Sequence, residues 1–195
     1  MSVVIIDYGA GNIKSIQFAF KRLGLEAVLT NDIETIKSAD HIIFPGVGEA
    51  SSAMNMLRKS GLDIIIPTLK QPVLGICLGM QLMCNSTEEG HTKGLGIFNT
   101  AVKRFSSSVK VPQMGWNTIN NMQSKLFNGV KDESFLYLVH SFYADMCPQA
   151  IATTFYELNY ASALQHNNFY GVQFHPEKSS VVGEQILKNF INIKI

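Results

Sequence analysis

Three times in succession, a short uninterrupted apolar run leads through a tight turn into apolar residues at helical spacing, and this repetition constrains the fold more than any other feature. Val3 to Ile6 runs into the polar turn Asp7-Tyr8-Gly9-Ala10-Gly11-Asn12. Ile13, Ile16, Phe20 and Leu23 then recur at helical intervals, and Gly24 is placed to stop that helix in a left-handed conformation. Ile42 to Phe44 leads through Pro45-Gly46-Val47-Gly48 to a helix predicted near Ala50 to Lys59. Val73 to Ile76 leads through Cys77 to a helix ending about Met83. Continuous apolar runs suit strands buried on both faces, and parallel strands need crossover connections. The pattern therefore predicts an α/β fold, a mostly parallel sheet covered by helices.

From Gly94 to Ala163 the pattern is less regular. Strand-like runs at Ala101 to Phe105, Phe135 to Val139 and Ile151 to Thr154 predict antiparallel additions at an edge of that sheet. Phe169 to Phe174 reads as a last strand, running into His175-Pro176-Glu177. Val182, Ile186, Leu187 and Phe190 predict a closing helix over Val181 to Ile191. No repeat, low-complexity tract or linker interrupts the chain, and its 195 residues suit one hydrophobic core, so a single domain over 1–195 is expected.

Lys plus Arg number 16 against 15 Asp plus Glu, so no overall field favours a polyanion, and nucleic acid is not an expected partner. No apolar run approaches the roughly 18–20 residues that span a bilayer, and the start of the chain lacks the pattern of a secretory leader. A cytoplasmic protein without a membrane partner is the expectation. Cys77, Cys84 and Cys147 are odd in number and have no framework spacing, which favours reduced thiols.

Gly75-Ile76-Cys77-Leu78-Gly79 has the G-x-nucleophile-x-G spacing of a sharp strand-to-helix elbow, which exposes its central side chain beside the first turn of a helix. From the elbow alone, a nucleophilic Cys77 and a small buried cysteine beside packing glycines are equally well supported. His175-Pro176-Glu177 adds what a cysteine nucleophile needs: a base, and a carboxylate to hold that base in one tautomer. An ordinary solvated loop is the alternative for that triplet. Cys77, His175 and Glu177 together are also conceivable as zinc ligands, but scattered residues without a paired motif argue weakly for metal. Pro45-Gly46-Val47-Gly48 is a turn whose amides could face the elbow and hold an oxyanion. It lacks the lysine and spacing of a phosphate loop.

Taken together, these motifs resemble the class I, or triad, glutamine amidotransferases. The resemblance is strongest to the glutaminase branch of histidine biosynthesis, and it covers nearly the whole chain. It is carried by Asp7 to Asn12, Phe44 to Gly48, Gly75 to Gln81, Pro112-Gln113-Met114-Gly115-Trp116-Asn117, Val139-His140-Ser141-Phe142 and Gly171 to Ser179. The resemblance implies a three-layer, mostly parallel, doubly wound, flavodoxin-like sheet, and that Cys77 attacks a glutamine carboxamide, His175 moves the proton and Glu177 orients His175. It implies oxyanion donation by the backbone N–H groups of Val47 and Leu78. It also implies glutamine binding by Gly48, Gln81, Ser141 and Phe142, with no cofactor and no metal. The implied partner is a (β/α)₈-barrel cyclase, joined as a heterodimer through Asn12, Trp116, Tyr137 and Lys178. That cyclase uses the ammonia to make imidazole glycerol phosphate and an aminoimidazole carboxamide ribotide.

The chain departs from the family pattern at two places, with Gln113 where histidine is usual and Phe142 where tyrosine is usual. If Gln113 lies at a partner or substrate surface, the same glutaminase chemistry serving another acceptor, such as a nucleotide sugar, is the alternative. A thiol sensor or binding protein on the same sheet is a more distant one.

Overall fold

The structure, a computed structural model, describes residues 1–9 and 11–194. Ala10, inside the first predicted turn, lies outside them, as does Ile195. In chain order the elements are β1 (Val3–Ile6), α1 (Ile13–Arg22), β2 (Ala27–Thr30), α2 (Ile33–Ser38), β3 (His41–Phe44), α3 (Ala50–Ser60), α4 (Leu62–Ile65), β4 (Val73–Ile76), α5 (Leu78–Leu82), β5 (Cys84–Thr87) and β6 (Thr92–Lys93). They continue as β7 (Phe98–Arg104), β8 (Gln113–Ile119), β9 (Ser134–His140), β10 (Phe142–Ala144), β11 (Ala150–Tyr156), β12 (Leu158–His166), β13 (Phe169–Val172) and α6 (Ser180–Ile191).

The main sheet has the order β2-β1-β3-β4-β13-β12-β10-β7-β5-β6, with β11 paired to β12. It is parallel from β2 through β13 and turns antiparallel at β12. Alternate residues of each parallel strand feed opposite cores, as the two-residue period of a strand requires. Val4, Ile6, Ile42 and Phe44 join a cluster with Ala53, Met54 and Leu57 of α3. Val3, Ile5, Ile43 and Leu74 join one with Ile16 and Phe20 of α1 and Ile186, Leu187 and Phe190 of α6. The three-layer, doubly wound prediction is met, and Gly24 ends α1 with φ +77°.

The predicted strands at 101–105 and 151–154 do add antiparallel to the main sheet, as parts of β7 and β11. The strand at 135–139 does not. It lies within β9, which pairs with β8 in a separate two-stranded sheet. Ile119 of β8 and Leu136 and Leu138 of β9 are buried in the α1/α6 cluster, so one face of this ribbon covers the main sheet and the other is left outside.

Candidate active site

The elbow is built by steric necessity. A Cβ on Gly79 would lie 2.0 Å from the Phe44 carbonyl oxygen, and one on Gly75 would lie 2.3 Å from Met83 Cε and 2.9 Å from the Met80 nitrogen. Only side-chain-free residues let β4, α5 and the end of β3 approach so closely. Between them Cys77 takes φ 54°, ψ −112°, a conformation that costs an L-residue about 1–3 kcal/mol and persists only where its surroundings enforce it. Cys77 N–H is tied to the Val172 carbonyl at 2.8 Å, and its own carbonyl accepts from Gln81 N–H at 3.2 Å. The sulfur therefore stands at the C-terminal end of the central strands.

His175 and Glu177 arrive at the same end from β13. The His175 backbone N–H donates to Tyr137 O at 2.9 Å, and Ser179 Oγ clamps the segment by donating to His175 O at 2.7 Å while accepting from Tyr137 N–H at 2.9 Å. His175 Nδ1 donates to Glu177 Oε1 at 2.8 Å, with both side chains buried. Burial, the largest influence on His175, pushes its pKa down. The charge of Cys77 and a hydrogen bond to it, followed by the hydrogen bond and charge of Glu177, outweigh burial and raise the pKa to about 10. The three side chains predicted to act together thus share one end of the sheet, with His175 hydrogen-bonded to Glu177 and influenced by the nearby Cys77.

A cavity of about 340 Å³ opens over them. Val47 and Gly48 border it on one side, and Cys77, Leu78 and Gln81 form its floor. Ser141, Phe142, His175 and Lys178 close the rest, so every residue predicted for oxyanion and glutamine binding lines one space. The floor is fixed by a row of amides. Gln173 Nε2 donates to Cys77 Sγ at 3.6 Å, while Gln81 Nε2 donates to Gln173 Oε1 at 2.8 Å and to the Phe142 carbonyl at 2.9 Å. Both protons of the Gln81 amide are then used, and only its oxygen remains to receive a ligand. Phe142 meets these polar partners through its backbone, and its ring packs against the α3-side core. A hydroxyl at that ring is not needed for the row.

Trp116, Tyr137 and Lys178 also come together. Trp116 and Tyr137 are cross-strand partners on β8 and β9 with ring centroids 6.2 Å apart, and Lys178 Nζ sits 5.8 Å from the Tyr137 centroid. Trp116 is 52% exposed, and Met114 (64%) and Phe135 (58%) share the outer face of the ribbon, giving an apolar patch beside the cavity rim. Asn12 makes none of these contacts, and its Oδ1 accepts from Ser15 Oγ at the start of α1.

One residue bordering the cavity had no signal in the sequence. Glu89, in a turn after β5, borders the cavity while its Oε2 accepts from Ala50 N–H at 2.9 Å, and burial raises its pKa. Gln173, fully buried beneath Cys77, belongs to the segment Gly171 to Ser179, in which only the His175-Pro176-Glu177 triplet signals chemistry. Gln113 is buried and bonded to Tyr160, so it faces neither the outer side of the ribbon nor solvent. Among the described residues, no group of three or more His, Cys, Asp or Glu side chains is arranged to hold a metal ion.

Residues 4–193 match the family model described as glutamine amidotransferase class-I. A relative in Bacteroides thetaiotaomicron named imidazole glycerol phosphate synthase subunit HisH is 53% identical over 99% of this chain and 100% of its own length. The Haemophilus influenzae protein of the same name is 43% identical, covering 98% and 97%. Among solved structures, a glutamine amidotransferase superposes with TM-score 0.77 at 16% identity, covering 98% of each chain. PurLQS from Thermotoga maritima does so with TM-score 0.75 at 15% identity, covering 98% and 99%. At such identities these two structures speak for the fold alone.

Proposed function

The chain belongs to the class I glutamine amidotransferases, and on that premise we propose that it is the glutaminase subunit of an imidazole glycerol phosphate synthase. In this reading residues 1–195 form one cytoplasmic glutaminase domain. It hydrolyses glutamine to glutamate and ammonia and passes the ammonia to a cyclase subunit, a (β/α)₈ barrel bound as a heterodimer.

The Cys77 thiolate attacks the side-chain carboxamide carbon, and the negative charge that develops on the oxygen is met by the backbone N–H groups of Val47 and Leu78. His175 carries the proton to the departing nitrogen. The carbon–nitrogen bond breaks, ammonia leaves, and a γ-glutamyl thioester remains on Cys77. His175 then takes a proton from water as the water oxygen attacks the thioester, and the thiolate is released with glutamate. Glu177 keeps Nδ1 protonated throughout, so that Nε2 is the nitrogen that cycles. The Gln81 oxygen and the Glu89 carboxylate are acceptors suited to the α-ammonium of glutamine, and the backbone at Gly48, Ser141 and Phe142 is suited to the rest of its amino-acid end.

The observation that supports this reading most directly is that Cys77 and His175, the latter bonded to the buried Glu177 behind it, border one cavity whose floor offers an amide oxygen. The apolar patch of Met114, Trp116 and Phe135 beside Lys178 supports a partner at the cavity rim. The burial of Gln113 removes the reason to favour a different ammonia acceptor. The test is glutamate release from glutamine by wild type and Cys77→Ala, with and without a histidine-pathway cyclase and its nucleotide ligand. Stimulation by the cyclase that is lost in Cys77→Ala is the expected result. A wild-type protein that stays silent with the cyclase overturns the proposal.

A further inference from the structure

Behind the Phe142 carbonyl, the row of amides under the cavity continues into a second set of buried polar groups. His140 Nδ1 lies 2.7 Å from that carbonyl oxygen. His140 Nε2 lies 3.3 Å from the Tyr160 hydroxyl, which lies 3.0 Å from the atom placed as Gln113 Oε1. His140, Tyr160 and Gln113 are all buried, at 6%, 0% and 4% exposure, so each proton must be accounted for within the protein.

With Thr154 beside the Tyr160 hydroxyl giving its own proton to the Thr118 carbonyl, one assignment satisfies His140, Tyr160 and Gln113 together. A carbonyl oxygen only accepts, so His140 carries its proton on Nδ1 and donates it to Phe142 O. Burial keeps the ring neutral, with a backbone hydrogen bond to Phe142 opposing and the neighbouring His175 assisting. Nε2 is then an acceptor, and the one proton of Tyr160 must go to it. The tyrosine oxygen is left to accept, so Gln113 turns its NH₂ toward it. The two ends of a side-chain amide differ by a half-turn that leaves the spacing nearly unchanged. All the hydrogen bonds then point from Gln113 toward the cavity, and the last of them fixes the carbonyl that also takes a proton from Gln81.

We propose that Gln113, Tyr160 and His140 form a buried positioning relay that fixes the Phe142 carbonyl, and through it the Gln81 amide oxygen that receives the ammonium end of glutamine. The inference rests on the glutaminase reading and deepens it. His140 borders the cavity while Gln113 and Tyr160 lie behind its lining, and in this scheme the three act by holding the groups that bind substrate. The residue at 113 is then a partner for Tyr160, and the change from the family's histidine is an exchange of one such partner for another inside the protein. Because the relay acts on the binding end of the site, its loss is expected in KM for glutamine more than in kcat.

Tyr160→Phe removes the hydroxyl and keeps the ring, His140→Leu removes the donor to Phe142, and His140→Asn returns an amide nitrogen to the place of Nδ1. Steady-state glutamate release is measured with saturating cyclase and its nucleotide ligand, and thermal melting checks folding. Tyr160→Phe and His140→Leu are expected to raise KM about fivefold or more, as loss of a buried hydrogen bond allows, with kcat changed less than about threefold. His140→Asn is expected to recover most of the affinity that His140→Leu loses. If His140→Leu does not fold, Tyr160→Phe compared with wild type and with His140→Asn decides the matter. Unmoved KM in an active Tyr160→Phe, a loss confined to kcat, or His140→Asn as impaired as His140→Leu overturns the relay alone. A wild-type protein silent with the cyclase overturns the glutaminase reading and the relay with it.

Discussion

Glu177 Oε1 accepts the Nδ1 proton of His175 at 2.8 Å, while its second oxygen, Oε2, is buried without a hydrogen-bond partner among the described residues. The carboxylate is therefore committed to the imidazole. The ring is held in the tautomer that leaves Nε2 for Cys77, and a charge is kept beside it in a place water reaches poorly.

Glu177→Gln keeps the shape and removes that charge. With the cyclase at saturation, kcat for glutamate release is expected to fall about 10²-fold or more, with KM for glutamine nearly unchanged. A kcat within threefold of wild type would show that Glu177 does not orient the base.

The state of His175 can be followed by ¹⁵N NMR of the imidazole. Its pKa in the folded protein is raised to about 10, so the ring stays protonated as pH passes its ordinary value and loses its proton only near the raised one. In Cys77→Ala the two leading influences that raise it are gone, and the titration is expected to move to lower pH. An unmoved titration would mean that Cys77 and His175 are not paired.

His140 makes an opposite prediction. Burial lowers its pKa to about 4, below the value in the unfolded chain, so as pH falls from about 6.5 the unfolded chain takes up the proton first. Stability is expected to fall over the window from pH 6.5 to 4 by about 3 kcal/mol from this group and to level off below it. Urea unfolding of wild type and His140→Asn isolates the term from the carboxylates, because only wild type carries it. Parallel pH profiles for the two proteins would refute the neutral buried state.

Gly79→Ala puts a methyl group where the Phe44 carbonyl oxygen already sits. Backbone must shift on both sides of the elbow, at a cost of about 1–3 kcal/mol or more in unfolding free energy, and Cys77 shifts with it. Loss of glutamate release together with a lower urea midpoint is the expected outcome. A wild-type midpoint would show that the elbow is looser than its contacts imply.

Trp116→Ala removes the central aromatic of the exposed ribbon face and is expected to weaken cyclase binding about 30-fold or more by titration calorimetry. Ile64 is 71% exposed on α4, which packs on the opposite side of the main sheet. Ile64→Ser should leave that affinity unchanged. Equal effects of the two substitutions would remove the ribbon as the docking face.

What the sequence determined by itself is local. The three strand-turn-helix units, the stop at Gly24, the elbow at Cys77 and the His175-Pro176-Glu177 triplet are written in neighbouring residues, where apolar period and glycine placement leave few conformations open. The strand β5 is not legible because the polar Asn85 and Ser86 break any apolar run, and β2 is not legible because its apolar run stops after Ala27, Val28 and Leu29.

Tertiary structure alone decided the rest, by pairing groups far apart in the chain. Gln113 meets Tyr160 across 47 residues, Gln81 meets Phe142 across 61, and Gln173 meets Cys77 across 96. It also lifted β9 out of the main sheet onto β8, which turned Trp116 outward and Gln113 inward on one strand. A strand shows opposite faces at successive positions, so whether a polar residue looks toward a partner or into the core depends on which side the fold covers. No local pattern around Pro112-Gln113-Met114 carries that choice.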